Sequence, residues 1–231
     1  MRCLMCGMEK GEGDFIDILE NDDPLCHACR NHLSKIKFHM KFHGYKLYAS
    51  YIYDDAFAKL LVQYKECFDE ALKTVFLYPF RWWLTLRFFG YTVCYLPSSK
   101  EKIAKRGFHH LEKMFSTLPL RQLDLFEKVS DFDQKNRSVE ERMKMSDNIV
   151  LKKNCVVPKK ILLVDDTITT GASLLGALRC LKGYDCKIAI YVVSVNQLWL
   201  KKRKIFGNKE IPKGLARLVS LPFTCRKYII K

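Results

Sequence analysis

The run from Ile161 to Ser173, ILLVDDTITTGAS, constrains the fold of this chain more than any other segment. Its first four residues are apolar and predict a short buried strand, Ile161 to Val164. Asp165 and Asp166 follow at the carboxyl end of that strand, and a loop rich in Thr, Gly and Ser then leads into a predicted helix. Ligands of open parallel sheets bind beyond the carboxyl ends of the strands. The run therefore predicts an α/β fold and the position of its binding site.

The residue types of this loop suit a sugar phosphate. Asp165 and Asp166 can accept hydrogen bonds from a ribose diol, and residues 167–173 can wrap a phosphate with N–H groups and hydroxyls at the positive end of a helix. Gly171 permits close approach of the backbone. A Walker-type triphosphate loop would carry Gly-Lys-Ser/Thr here, and this loop has no lysine. We expect a ribose 5-phosphate site; a plain strand–turn–helix with solvated acids is the alternative.

Strands and helices alternate along much of the chain. Strands are predicted at KLYASYIY, YTVCYL and KIAIYVVSV, and a helix with an apolar stripe is predicted after Asp54-Asp55. Val75 to Phe89 is predicted to be helical on either side of Pro79, and residues 130–148 to form a polar loop. Several strands are apolar on both faces, which favours a parallel sheet covered by helices on both sides.

Two cysteine pairs, Cys3-x₂-Cys6 and Cys26-x₂-Cys29, lie near the start of the sequence. Four thiolates at this spacing form the soft tetrahedral set that Zn²⁺ prefers, and four protein ligands leave no open position, so the role is structural. The sequence shows no signal peptide and no membrane-spanning apolar segment, so we expect a cytoplasmic protein. In that reducing compartment, paired cysteines point to metal rather than to disulfides.

The chain is strongly basic, with 40 Lys and Arg against 25 Asp and Glu and a formal net charge of +15. This favours an anionic partner, either nucleic acid or phosphorylated metabolites, although solvated lysines are the alternative. The segment 198–231 is either an anion-binding arm or a solvated tail. The arginine–aromatic clusters Phe80–Trp83 and Arg87–Phe89 could stack on single-stranded nucleic acid, but we predict that they belong to the core.

The run Ile161 to Ser173 resembles the PRPP-binding motif of type I phosphoribosyltransferases. An N-terminal zinc knuckle joined to such a motif resembles the ComF family, which is associated with DNA uptake in natural transformation. LVQYKECFDEAL, YLPSSKEKIAKRGF and the pair Gln134 and Arg142 also resemble segments of that family. Where relatives have Asn-Gln after Arg-Gly-Phe, this chain has His109-His110.

The resemblance implies a type I phosphoribosyltransferase-like parallel sheet flanked by helices, with a small N-terminal zinc-binding module. It implies a zinc knuckle at 1–42, a phosphoribosyltransferase-like domain at 43–197 and a basic C-terminal segment at 198–231. The ribose and 5-phosphate would be held by Asp165, Asp166, Thr167, Thr169, Thr170, Gly171, Ala172 and Ser173, and pyrophosphate by Lys65, Ser98, Ser99, Lys100 and Arg106. Mg²⁺ would arrive with PRPP. Zn²⁺ would be held by Cys3, Cys6, Cys26 and Cys29.

The resemblance leaves three functions to weigh. The first is a competence factor that binds a phosphoribosyl ligand and single-stranded DNA, with a competence helicase and DNA-processing proteins as partners. The second is a catalytically active phosphoribosyltransferase of nucleotide metabolism, for which the sequence shows neither an acceptor nor a catalytic base. The third, a PRPP-sensing regulator, calls for a DNA-reading element such as helix-turn-helix, and the sequence shows none. The zinc–PRPP combination favours the first.

Overall fold

A computed structural model describes residues 2–10, 22–128 and 149–206 of the 231-residue chain, and the side chains up to residue 201. The predicted loop at 130–148, with Gln134 and Arg142, and the basic segment after residue 206 lie outside the described residues. Within the described part no helix is long and apolar enough to cross a bilayer.

The centre of the fold is a six-stranded sheet in the order β1-β2-β8-β7-β3-β4, in which every pairing is parallel except that of β1 with β2. Strands β5 and β6 form a separate antiparallel pair. The bounds are β1 Lys35–Phe42, β2 Tyr45–Ile52, β3 Thr92–Tyr95, β4 Gln122–Leu123, β5 Phe126–Lys128, β6 Ile149–Leu151, β7 Lys160–Ile168 and β8 Lys187–Val195. The predicted α/β class with a mostly parallel sheet is confirmed.

Helices flank this sheet and connect most of its parallel strands. They are α1 His27–Asn31, α2 Asp55–Glu66, α3 Lys73–Leu77, α4 Arg81–Arg87, α5 Lys100–Arg106, α6 His110–Phe115, α7 Ala172–Cys180 and α8 Gln197–Phe206, with 3₁₀ turns at Glu70–Leu72 and Tyr78–Phe80. The predicted stripe on α2 is confirmed, because Phe57, Leu60, Leu61 and Tyr64 are all buried. Asp54 caps this helix by accepting a hydrogen bond from the Phe57 amide at 2.9 Å.

Strand β7 is longer than the sequence predicts. The expected strand ended at Val164, whereas the observed strand continues through both acids to Ile168 and pairs with β8 throughout. Consecutive strand residues point to opposite faces, so Asp165 and Asp166 project from opposite faces of the sheet. Polar residues can extend this strand because its carboxyl end borders a cavity, which Asp165 and Asp166 line, and because the Thr167 hydroxyl contacts that of Ser194.

The prediction that the arginine–aromatic clusters belong to the core is wrong for three of their aromatic residues. Trp82, Trp83 and Phe89 are exposed, whereas Phe88 is fully buried. Helix α4 has only seven residues and packs on one side. Leu84 of the helix and Phe88, the residue that follows it, are buried; they lie four positions apart and share that side, which leaves the other rings facing outward.

The N-terminal cysteine region is joined to the sheet domain through Arg30. Its guanidinium forms a buried ion pair with Asp23 and donates to the carbonyl oxygen of Val75 at 2.9 Å. Strand β1, which the expected division assigned to the knuckle, is the edge strand of the main sheet. The division of the chain at residues 42 and 197 stays a prediction.

Candidate functional site

A polar cavity of about 180 Å³ lies at the carboxyl ends of β3 and β7. Its wall brings together seven of the predicted site residues: Asp165, Asp166, Ser173, Lys65, Ser98, Ser99 and Arg106. Four further polar residues line it that the prediction did not include: Glu66, Lys102, His110 and Lys128. The cavity thus joins the acids of β7, the start of α7, the loop after β3 and the end of α2.

Asp166 is the most heavily bonded side chain of this cavity. Its Oδ2 forms an ion pair with Lys65 and lies 2.7 Å from Nε2 of His110. His110 begins α6 and Lys65 belongs to the last turn of α2, so one carboxylate ties both helices to the sheet. The negative charge of the Asp166 carboxylate is therefore partly compensated by the ammonium group of Lys65.

The contacts of His110 fix the position of its proton. Nη1 of Arg106 lies 3.1 Å from Nδ1 of His110, and a guanidinium can only donate. Nδ1 must then accept, so Nε2 carries the hydrogen and donates it to Asp166. Burial lowers the pKa of His110, which keeps the ring in this neutral form at neutral pH.

The two acids of β7 have opposite protonation behaviour. Burial, together with the adjacent charge of Asp166, raises the pKa of Asp165 to about 8. Burial acts in the same direction on Asp166, but Lys65 and His110 outweigh it and hold the pKa of Asp166 well below its usual range. In the free protein at pH 7, Asp166 is the ionised member of the pair and Asp165 carries a proton.

The predicted phosphate loop begins in the last residues of β7 and ends in the first turn of α7, and five of its residues do not line the cavity. The Thr167 hydroxyl lies 2.8 Å from that of Ser194 on the neighbouring strand β8. The Thr169 carbonyl accepts from the indole of Trp199, and the Thr170 hydroxyl accepts from the amide of Ala172. Their role as phosphate ligands stays a prediction.

Gly171 precedes α7 and has two structural reasons to be glycine. Its φ is +80°, in the left-handed region that residues with a Cβ adopt only at a cost. A Cβ at this position would also lie 2.8 Å from the ring of Phe42. The backbone at Gly171 therefore lies close to an aromatic ring, and its close approach to a phosphate stays a prediction.

The predicted pyrophosphate residues divide into a loop and a set of cations. Ser98 and Ser99 line the cavity, and Ser99 caps α5 by accepting from the amide of Lys102. Lys100 does not line the cavity; Lys102, two positions later, does. Arg106 is largely buried and donates to the carbonyl oxygen of Lys65 at 2.8 Å, so part of its guanidinium already has a structural partner.

Cys3, Cys6, Cys26 and Cys29 converge in a separate site. Their sulfur atoms all lie within 4.8 Å of one another, and Sγ of Cys6 is 3.9 Å from Sγ of Cys26. A tetrahedral zinc with Zn–S bonds of about 2.3 Å requires sulfur atoms about 3.8 Å apart, so the observed separation fits. The four-cysteine cluster could therefore hold a zinc ion.

The backbone around these thiols also suits a metal. Burial acts to raise the pKa of Cys3, but hydrogen bonds from the backbone at Cys26, Cys6 and Met5 outweigh it and lower the pKa to about 6. A thiol must lose its proton to bind a metal, and a lowered pKa favours that loss. The predicted cluster is confirmed as a spatial unit.

A larger cavity of about 350 Å³ lies between the cysteine region and α3. Its lining includes Arg2, Asp22, Tyr78 and Arg81, and neither acid of β7. We assign the candidate site to the smaller cavity because it contains the paired acids at the carboxyl edge of the parallel sheet, where ligands of such folds bind.

The chain is similar to a family profile, to a curated protein and to a solved structure. Residues 103–217 match the profile of the phosphoribosyl transferase domain. The chain is 28% identical over 199 residues to the competence protein ComFC of Streptococcus pneumoniae, in an alignment that covers 75% of this chain and 90% of the relative. Adenine phosphoribosyltransferase from Saccharomyces cerevisiae superposes with a TM-score of 0.40 at 13% identity, covering 80% of this chain and 97% of the yeast enzyme.

The sheet, the paired acids and the matched domain define a phosphoribosyltransferase-like protein. The four-cysteine cluster before that domain, together with the ComFC relative, fits a ComF-type protein with a zinc knuckle. Sequence reasoning missed His110 at the site. The signal was available, because His109-His110 stands where the family pattern has Asn-Gln.

Proposed function

We propose that this protein acts in DNA uptake during natural transformation and binds both a PRPP-like phosphoribosyl ligand and single-stranded DNA. The observation that carries the ligand half is the cavity in which Asp165, Asp166 and Ser173 of the β7–α7 segment face Ser98 and Ser99 after β3. Two acids for a diol, a helix start for a phosphate and a second polar loop form a complementary set for a phosphorylated ribose.

In this proposal the ribose hydroxyls bind Asp165 and Asp166. The 5-phosphate binds at the start of α7, where Ser173 lines the cavity and the first amides of the helix favour an anion. The diphosphate group lies toward Ser98 and Ser99. Ligand hydroxyls would compete with Lys65 for Asp166, and an ammonium group released from that ion pair could turn to the diphosphate oxygens.

Two metals belong to the proposal. Zn²⁺ occupies the cysteine cluster and stabilises the N-terminal region, and the protein works in the reducing cytoplasm, where the thiols remain free to bind it. Mg²⁺ enters with PRPP. It prefers oxygen ligands and keeps several waters, so diphosphate oxygens with one carboxylate suffice. Glu66 lines the cavity and could supply that carboxylate.

The DNA half of the proposal is supported by charge and by the relative. A net charge of +15 favours a polyanion, and the relative in Streptococcus pneumoniae is named a competence protein. A competence helicase and DNA-processing proteins are the proposed protein partners. The basic segment after residue 206 would add to this attraction.

Calorimetric titration of the zinc-loaded protein with PRPP and Mg²⁺ tests the ligand half. We expect one site per chain, lost in the double variant Asp165→Asn/Asp166→Asn. Asp185→Asn is the matched control, because Asp185 is an exposed acid outside the cavity and should leave binding unchanged. A folded wild type that fails to bind PRPP would reject the phosphoribosyl ligand.

The second candidate function is a catalytically active phosphoribosyltransferase. It is favoured by the cavity's cationic groups, since Lys65, Lys102 and Lys128 could stabilise a departing diphosphate. The test is release of pyrophosphate from PRPP and Mg²⁺ with each nucleobase in turn. Release that requires a base and is lost in the double variant would establish turnover; PRPP binding without release would leave a binding protein.

A further inference from the structure

Helix α4 and the two residues that follow it present large apolar side chains to solvent. The exposed fractions are 72% for Trp82, 77% for Leu86 and 81% for Phe89, and Trp83 is exposed to 44%. Exposed aromatic side chains clustered on one short element mark an interaction surface more often than chance exposure does. The phosphoribosyl cavity does not include any of these residues.

The β1–β2 hairpin continues this surface with basic side chains. Register pairs His39 with Tyr48 and Lys41 with Lys46, and directly opposite residues share a face of the sheet. Lys46 and Tyr48 lie two positions apart on β2, so all four side chains project from one face. His39, Lys41 and Lys46 are exposed, while Phe38, Met40 and Phe42 of β1 are buried on the opposite face.

Tyr48 joins the two elements. Its hydroxyl accepts a hydrogen bond from Nη2 of Arg87 at 2.5 Å, and the guanidinium lies 5.1 Å from the Tyr48 ring centroid. The Tyr48 ring also packs edge-on against Trp83 and Phe88 at 6.0 and 5.7 Å. We call the resulting surface the hairpin–α4 face: His39, Lys41, Lys46, Tyr48, Trp82, Trp83, Leu86, Arg87 and Phe89.

The charge of this face has one sign. Neither residues 35–52 nor residues 81–90 contain an aspartate or glutamate. Cations are therefore interleaved with exposed rings on a single surface, without carboxylates from the same elements. A membrane-binding helix instead segregates its cations to the face opposite its apolar side chains. A duplex would offer phosphates but keep its bases stacked inside.

Single-stranded nucleic acid supplies both complementary parts, phosphates for the cations and accessible base faces for the rings. We propose that the hairpin–α4 face is the surface that binds single-stranded nucleic acid, with Trp82, Trp83 and Phe89 stacking on bases and Lys41, Lys46 and Arg87 contacting phosphates. This assignment rests on the proposed function for the identity of the partner. It places that partner on a surface separate from the phosphoribosyl cavity.

Fluorescence anisotropy of the full-length, zinc-loaded protein with a labelled oligothymidylate tests the assignment. We expect Trp82→Ala/Phe89→Ala to weaken binding by at least about tenfold, since each stacked base contributes substantially to affinity. Lys41→Gln/Lys46→Gln should weaken binding and reduce the magnitude of the negative slope of log K against log salt by about 1.4, at about 0.7 for each lost phosphate contact on a single strand.

Matched controls come from exposed residues elsewhere. Tyr184→Ala controls for removal of an exposed ring, and Lys153→Gln/Lys182→Gln controls for removal of two charges. Both should bind like the wild type. PRPP titration of every variant reports whether the fold and the phosphoribosyl cavity survive, because the substituted side chains do not line that cavity.

The outcomes separate this assignment from the proposed function. A wild type that binds the oligonucleotide while both face variants bind it equally well would overturn the face and leave the DNA partner standing. A wild type that does not bind single strands, or that binds anionic lipid vesicles through these same residues instead, would overturn both. Selective loss in the two face variants, with PRPP binding intact, would establish the surface.

Discussion

Nε2 of His110 lies 2.7 Å from Oδ2 of Asp166, and both side chains are buried. Since Arg106 occupies the other ring nitrogen as a donor, His110 donates to Asp166 and helps Lys65 keep it ionised. Asp165 has no such cationic partner in direct contact among the described residues, and its pKa is raised to about 8. One dipeptide therefore contains an acid that stabilises the free fold when charged and an acid that is costly to charge.

Asp166→Asn should destabilise the protein. The substitution removes the charge that pairs with Lys65 in a poorly solvated site, and breaking one partner of a buried pair costs about 3–5 kcal/mol. Because Lys65 is about one-fifth exposed, we expect the lower end of that range. Urea unfolding at pH 7 measures the loss. Stability equal to that of the wild type would mean that the ion pair contributes nothing to the fold.

Asp165→Asn should have the opposite effect. The folded protein holds the Asp165 proton up to about pH 8, whereas an unfolded aspartate releases it near pH 4, so wild-type stability falls as pH rises between these values. Asparagine does not titrate. The free energy of unfolding of the variant should therefore rise relative to that of the wild type by up to about 1.4 kcal/mol per pH unit, and the difference should become constant above pH 8. The Asn side-chain oxygen can still accept from the Asp166 amide.

Thermal unfolding of Asp165→Asn and the wild type from pH 5 to pH 9 checks this difference. Asp185→Asn serves as the control, because Asp185 is exposed. Its unfolding temperature should differ from that of the wild type by the same amount at pH 5 and at pH 9. A variant that is less stable than the wild type at pH 8 would show that Asp165 is ionised in the free pocket.

The acids and the cysteines could be predicted because their chemistry is local. Two carboxylates after an apolar strand, and two Cys-x₂-Cys pairs, indicate their roles from adjacent residues alone. His110 and Arg30 depend instead on tertiary contacts. Arg30 meets Asp23 and the Val75 carbonyl, and nothing in the surrounding Cys-rich sequence indicates that a lone arginine there is buried.

The prediction that Trp82, Trp83 and Phe89 are buried is wrong for a related reason. Aromatic residues are usually buried, and composition cannot tell that a two-turn helix offers only one packed side. Leu84 and Phe88 occupy that side, and Trp82 and Phe89 face solvent. The predicted length of β7 is too short because polar residues usually indicate the end of a buried strand, whereas pairing with β8 continues to Ile168.

Arg30→Met should lower stability by about 3–5 kcal/mol. It leaves the carboxylate of Asp23, which is 3% exposed, without its cation. The double variant Asp23→Asn/Arg30→Met should recover part of the loss, because the isolated buried charge is gone. Urea unfolding of the single and double variants measures both. A double variant less stable than Arg30→Met would show that Asp23 stabilises the fold through the Leu25 amide rather than through the ion pair.

Gly171→Ala should impair both stability and PRPP binding. A left-handed backbone costs an alanine roughly 1–2 kcal/mol, and its Cβ would collide with the Phe42 ring at 2.8 Å. Adding Phe42→Leu should relieve the collision and restore part of the stability, but the backbone cost should remain. Unfolding and PRPP titration of both variants test this. Wild-type affinity in Gly171→Ala would mean that the backbone before α7 is not part of the phosphate site.

Loss of zinc should unfold the cysteine region and leave the cavity at the sheet edge intact. Structural zinc contributes directly to folding, so chelation, or Cys26→Ser, should abolish hydrogen-exchange protection in residues 2–10 and 22–33. The lining of the cavity that contains Asp165 and Asp166 begins at Lys65, so the proposed PRPP affinity should persist. Cys67→Ser, an exposed cysteine outside the cluster, should change neither zinc content nor exchange. If PRPP affinity instead fell in step with zinc content, the Arg30 contact to Val75 would transmit the state of the cysteine cluster to the cavity.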